Sequence, residues 1–418
     1  MSSERLSHYT GVESHCRRVA ALAVEIARRL RLPADAQETV EQASLFHHTP
    51  LPFLDPPALN RIMTDLCGEG WWRMEEMESL SRPLPEPVLA ALRNLNAPPL
   101  ESQVDRTGII AEIIAVANHF DEQLEMLPFE NKTVDQILDE FRAMSEGQLF
   151  LPEIVLGLMS IPRARMDSLL ELAHGMTLHP AAALLALDDT APLTELAASS
   201  EMLSEALLEV ANSEPHKLEG HIGSAGEAIA CIGPKAARKI LMTAAMRPFF
   251  AATKRPDLWR HSLQVAQLAE RLATISGRID PHEAFLAGLV HDAGRVVLDG
   301  LTGEAFTVYT RMLKSCAPAF VERVLCRFDH AELGAAVLRQ WEFPESIATA
   351  VRHHHEPEQN ESELASVLYL AEYWSGSEED LPSALRLGVA IDRTGLTLDL
   401  VQSAAGTNGL EEALIAAA

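Results

Sequence analysis

The stretch 283-EAFLAGLVHDAGRVVL-298 decides the fold. It opens as an apolar run of helix formers, sets an imidazole and a carboxylate side by side at His291 and Asp292, and resumes with Val296, Val297 and Leu298. Such a run, with no β-branched alternation, predicts helix on both sides of the pair. Burying His291 and Asp292 costs free energy unless something satisfies them. The flanking sequence supplies groups of the same kind. Upstream, 258-LWRHSLQVAQLAERLA-273 carries His261 ahead of Val265, Leu268, Ala269 and Leu272, an i, i+4, i+7, i+8, i+11 rhythm that turns His261 inward. Downstream, 327-RFDHAELGAAVLRQW-341 carries His330, and 347-IATAVRHHHEP-357 carries His354 and His355 on the face of Ile347 and Val351. A lone inward histidine is usually a hydrogen-bonded core residue, and His353–His355 alone could be a solvated helix end. Divalent metal, one or two ions of iron, manganese or zinc, would satisfy imidazoles and a carboxylate recurring on four successive helices, and both readings stand at this point.

The order His, then His-Asp, then His, then His-His resembles the HD-domain superfamily of metal-dependent phosphohydrolases. The resemblance narrows with 207-LLEVANSEPHKLEGHIGSAGEAIACIGPKAARKIL-241, where Asn212-Ser213 and Ile232-Gly233 stand, and with 364-LASVLYLAEYW-374. Together these segments resemble an HDOD domain, a signalling relative of the HD fold, over roughly residues 165–375. The resemblance implies metal ligands at His261, His291, Asp292, His330, His354 and His355, with Glu372 where the family's last carboxylate is expected as Asp. It also implies catalytic roles for Asp292, bridging two metals, and for Arg295, which stands where catalytic relatives often have Lys and could hold a substrate phosphate. Asp257, one turn before His261, could join the site or simply be an N-terminal helix charge.

The front of the chain, 13-ESHCRRVAALAVEIARRLRLPADAQETVEQASLFHHTP-50, is similar to the opening of an HD-GYP domain, and residues 109–159 to its C-terminal part. His15 takes the place of the first His, and His47-His48 the place of His-Asp. Asn118 stands for a metal-binding Asp, Asp121 survives, 90-AALRNLNAPP-99 replaces a His-His-Glu, and the Gly-Tyr-Pro signature is missing. Neutral groups cannot offset two divalent charges, so no dinuclear centre is expected here. The expected division is a degenerate HD-GYP-like pseudo-enzyme domain at 1–162 and an HDOD domain at 163–418. The latter divides into a helical subdomain at 163–255, an HD core at 256–375 and C-terminal helices at 376–418.

The remaining features bound the function. Hydrophobic residues make up 47% of the chain but aromatics only 5%, so Ala and Leu must fill the core, and an all-α fold is expected: two tandem HD-type helical domains. The nearest strand-like patterns are 307-TVYTRML-313 and 395-GLTLDLV-401. With 34 basic residues against 60 acidic ones, the net charge of −26 repels phosphate backbones, which makes nucleic acid an unfavoured partner. The basic runs 15-HCRRVA-20, 25-EIARRLRLP-33 and 233-GPKAARKILMTAAMRP-248 lack the aromatics of a stacking platform. Five cysteines without close spacing suggest reduced thiols, and with no secretory signal or membrane span the expected location is cytoplasmic. Two functions follow from the resemblance. One is a regulatory module that contacts a signalling protein partner, with a homodimer as an option and weak or no activity, cyclic di-GMP hydrolysis included. The alternative is a metal-dependent phosphohydrolase acting on a nucleotide or phosphoester.

Overall fold

The computed structural model describes residues 3–47, 84–95, 106–130, 132–176, 180–188, 192–213, 221–253, 255–375 and 384–405. Every regular element among them is helical, with no strand. Leucine and alanine do fill the interior, as the scarcity of aromatics requires. The chain packs as two compact units, residues 1–163 with 302–328, and residues 164–301 with 329–418.

In the first unit α1 (Ser3–Arg29) packs against α2 (Ala34–Leu45), and α3 (Glu86–Asn94) and α4 (Arg106–Glu130) complete the group. α5 (Val134–Glu146) starts at a capping box in which Thr133 and Gln136 satisfy each other's backbone N–H groups. α6 (Pro152–Met159) carries Pro152 in its first turn, where a missing N–H costs nothing, and lies on α1, with Gly157 facing Ile26 and Leu30.

The second unit opens with α7 (Met166–Met176), α8 (Pro180–Leu187), α9 (Leu193–Ala198), α10 (Glu201–Asn212), α11 (Ala225–Ile232) and α12 (Pro234–Phe250). Two residues singled out in the sequence have structural work here. Asn212 ties its helix to the returning chain, its amide donating to the Ile222 carbonyl at 3.0 Å and accepting from the Ile222 N–H at 2.9 Å. Gly233 joins α11 to α12 at φ +85°, a conformation that L side chains rarely adopt.

Next come α13 (Pro256–Ser276), α14 (Pro281–Val290) and the short α15 (Ala293–Leu298). The α13–α14 pair is closed by Gly277 at a left-handed φ of 66° and by Asp280, whose side chain accepts from the N–H groups of His282 and Glu283. The chain then leaves this unit. Residues 302–328, with α16 (Gly303–Met312) and α17 (Pro318–Cys326), pack in the first unit. It returns for α18 (His330–Gln340), α19 (Glu345–Arg352), α20 (Glu363–Trp374), α21 (Ala384–Thr394) and α22 (Leu398–Ala405).

Two sequence expectations are corrected. Residues 302–328, assigned to the second domain, belong with the first unit. There Arg311 reaches Glu25 at 3.1 Å, Arg29 reaches Glu304 at 2.7 Å, and Arg18 lies over the Phe320 ring. Glu25 is only 2% exposed and also meets Arg29 at 3.0 Å, so Arg311 completes the neutralisation of a buried carboxylate. The two strand-like patterns form no strand, in line with the all-α expectation: residues 307–312 lie in α16, and α22 begins at Leu398. The helix through Ile347 and Val351 stops at Arg352, leaving His354 and His355 on the turn that follows.

Candidate metal centre

The second unit brings its candidate ligands together by letting backbones approach closely. A Cβ at Gly288 would lie 2.6 Å from the Ala266 Cα, so α13 and α14 meet with nothing between them. A Cβ at Gly294 would lie 2.0 Å from the His330 carbonyl oxygen, so α15 and α18 meet in the same way. The first contact sets His291 against His261, ring centroids 5.2 Å apart, and the second sets Asp292 beside His330. α20 packs on α13, α14 and α19 and delivers Glu372.

Glu372 Oε2 lies 3.0 Å from His261 Nε2 and 3.1 Å from His291 Nε2. Asp292 Oδ2 lies 3.8 Å and 3.5 Å from the same two nitrogens, and its Oδ1 is 3.6 Å from His330 Nε2. His330 and His355 meet at 2.8 Å through their Nε2 atoms, and the His354 ring is 5.3 Å from that of His291. Ligand atoms of His261, His291 and Asp292 lie within 4.8 Å of one another, and so do those of His330, His354 and His355. All seven expected ligands therefore converge. Asp257 does not join them; it is exposed and pairs with Arg260 at 3.4 Å. Arg295 is buried with its Nε 3.1 Å from Asp292 Oδ1, so its guanidinium serves the carboxylate at the centre.

The donor set fits a divalent ion on two counts. His291 Nδ1–H donates to the Gly288 carbonyl at 2.7 Å and His354 Nδ1–H to the Val351 carbonyl at 2.6 Å, which turns each Nε2 toward the interior. Those two Nε2 atoms, both oxygens of Asp292 and Glu372 Oε1 are buried without a hydrogen bond among the described residues. Buried polar atoms rarely go unsatisfied, and here they point at one another.

Electrostatics agree. Burial pulls His291 down, but the Asp292 and Glu372 carboxylates outweigh it and lift its pKa to about 9. Burial, then the neighbouring His291 and His330, push His354 down to about 3. Burial would raise Asp292, yet Arg295, His291 and His330 hold it well below the usual carboxylate range. Ionised Asp292 beside a neutral His354 offers the kinds of donor a divalent ion takes.

The first unit assembles a related but different cluster. His15 and His47 are also 5.2 Å apart, and Asn118 Oδ1 lies 2.9 Å and 3.0 Å from their Nε2 atoms. His47 Nδ1–H donates to the Ser44 carbonyl three residues back. His48 and residues 96–99 lie outside the described residues. Asp121 is fully buried and held by His15 Nδ1 at 2.6 Å and by Arg18 at 2.7 and 2.9 Å. Arg18, one of the basic residues of 15-HCRRVA-20, is thus spent on an ion pair. So are Arg28 and Arg29 on Glu25, while Arg238 donates to the carbonyls of Ala186 and Asp188.

The periodicity of the sequence reveals the ligands but not Gly288, Gly294 or the two carbonyl anchors. Their only signal is a glycine in a helix otherwise built of larger apolar residues. Comparison with known proteins agrees with the geometry. Residues 189–357 match the sequence profile described as HDOD domain. Among curated proteins, an uncharacterized protein of Treponema pallidum is 24% identical over 36% of this chain, and a ribonuclease Y of Thermus thermophilus is 27% identical over 38%. The chain covers only 30% and 24% of the length of those two relatives. Among solved structures, one from Marinobacter aquaeolei VT8, assigned provisionally to signal transduction, superposes with a TM-score of 0.50 at 21% identity, covering 62% of each chain. Over residues 189–357 this chain is thus similar to the HDOD domain.

Proposed function

We propose that this protein is a signal-transduction module whose second unit holds one or two divalent metals at His261, His291, Asp292, His330, His354, His355 and Glu372, and which acts through contacts with a protein partner. One observation carries the metal: seven imidazole and carboxylate side chains converge from five helices and turns, and buried atoms of His291, Asp292, His354 and Glu372 among them lack a hydrogen bond. One observation favours regulation over turnover: Arg295 lies against Asp292, so the arginine that could grip a substrate phosphate is engaged with the central carboxylate. The first unit is an altered HD core, in which Asn118 takes the position that Glu372 has in the second.

The second reading, a phosphohydrolase, is favoured by the same complete donor set. A bound divalent pair supplies Lewis acidity and lowers the pKa of a water to near neutrality. The residues of the chain would present neutral Nε2 lone pairs, keep Asp292 ionised through Arg295, and shut bulk water out of a buried pit.

The discriminating experiment is metal analysis of the purified full-length protein with a phosphoester screen, repeated for Asp292→Ala. The expected result is at least one divalent ion per chain, lost in Asp292→Ala, and turnover at most slow. Metal-free protein after reconstitution would sink the metal site. Robust metal-dependent turnover that vanishes in Asp292→Ala would promote the enzyme.

A further inference from the structure

We infer that Arg18 does in the first unit the electrostatic work a divalent metal does in an HD site, so that this unit is built to stand without metal. The inference rests on reading the first unit as an altered HD core, and the alignment of the two sites is close. In each, one oxygen bridges two imidazole Nε2 atoms: Glu372 Oε2 at 3.0 and 3.1 Å, Asn118 Oδ1 at 2.9 and 3.0 Å. In each, the second histidine donates its Nδ1–H to the carbonyl three residues back. The two sites differ in where charge sits. The second has carboxylates at Asp292 and Glu372; the first has an amide at Asn118 and a buried carboxylate one turn later, at Asp121.

That displaced carboxylate comes with its own cation. Arg18 lies three residues after His15, and the matching position after His261 is Gln264, neutral and exposed. Asp121 lies three residues after Asn118, and the matching position after Glu372 is Ser375. An arginine and an aspartate therefore stand together where the second unit has two neutral residues. Arg18 grips both oxygens of Asp121 and also reaches Glu125, while His15 Nδ1 takes a further lone pair of Asp121 Oδ2. His15, Asp121 and Glu125 lie close enough to ligate an ion. A metal there would have to expel a guanidinium that is only 12% exposed, or sit against its charge. Breaking such a pair leaves a buried charge uncompensated.

The test uses the full-length protein, with metal content per chain and hydrogen exchange of peptides from α1 and α4 as readouts. His15→Ala should leave the metal content unchanged. Arg18→Met should speed exchange of those peptides at least about tenfold whether or not manganese or zinc is added, and Arg18→Lys should restore much of the protection. A fall in metal content in His15→Ala would overturn the inference. So would an unchanged exchange rate in Arg18→Met, or an Arg18→Lys protein as unprotected as Arg18→Met, since charge would then not be what matters. A metal-free wild-type protein would refute the proposed function of the second unit and leave the Arg18 comparison standing.

Discussion

Three candidate ligands in the second unit are each held by a further group. His291 and His354 are aimed by backbone carbonyls, and Asp292 is kept ionised by Arg295. The imidazoles and carboxylates were legible as types at positions, because an inward-facing charged residue breaks an apolar rhythm visibly. Arg18 was not legible: in sequence it is one of two adjacent arginines in a basic run, and only the fold shows that Asp121 lies opposite. The pair makes a pH-dependent prediction. Burial raises Asp121, but His15 and Arg18 outweigh it and lower it from 3.8, so its contribution is complete above that pH and is lost as pH falls through the lowered value. Burial lowers His15, but Asp121 outweighs it and raises it from 6.5, so its contribution is complete below that pH and is lost as pH rises through the raised value. Hydrogen exchange of α1 and α4, corrected for its intrinsic pH dependence, should therefore be slowest between about pH 4 and 6.5. In His15→Gln the alkaline loss should disappear while the acid loss remains.

At the scale of elements, the cluster of candidate ligands depends on two helix crossings with no side chain between them. Periodicity predicted which faces of α13 and α19 turn inward, and their burial agrees: Val265, Ala269, Leu272, Ile347 and Val351 are fully enclosed. It could not predict crossing distance, which depends on what the partner helix presents, nor that α19 would stop short of His354. Gly294 gives the sharper test. An added methyl would collide with the His330 carbonyl and the Gly334 amide, both backbone, so the crossing itself must open. Gly294→Ala should cost about 1–3 kcal/mol in urea unfolding and displace His330, lowering metal content as well as stability. Gly226→Ala, whose new methyl meets only Thr194 Cγ2 at 3.9 Å, is the matched control and should keep both. A Gly294→Ala protein with normal metal content would show that the crossing does not set the site.

At the scale of the molecule, order along the chain and order in space part company at residues 302–328. Sequence reading drew one boundary near residue 162 because Pro162 interrupts the helical pattern there. An excursion that leaves one unit and returns need not break that pattern, so it left no trace in the sequence. A fragment ending at residue 163 would lack α16 and α17, leaving Glu25 without Arg311 and Arg18 without the Phe320 ring. Such a fragment should melt lower and aggregate more readily than one in which residues 302–328 are joined to it by a flexible linker, as light scattering during a thermal ramp would show. Equal behaviour of the two fragments would mean that the excursion adds nothing to the first unit. The excursion has a polymer consequence too. It starts four residues after the end of α15, just beyond Asp292 and Arg295, and ends one residue before Asp329, which caps the helix that His330 begins. The chain that joins Asp292 to His330 therefore runs through the packing of the first unit. With residues 302–328 loose, that stretch would close as a flexible loop, and closing a loop costs on the order of 0.6 kcal/mol more for every doubling of its length. Packing of residues 302–328 thus shortens the free chain between two candidate ligands.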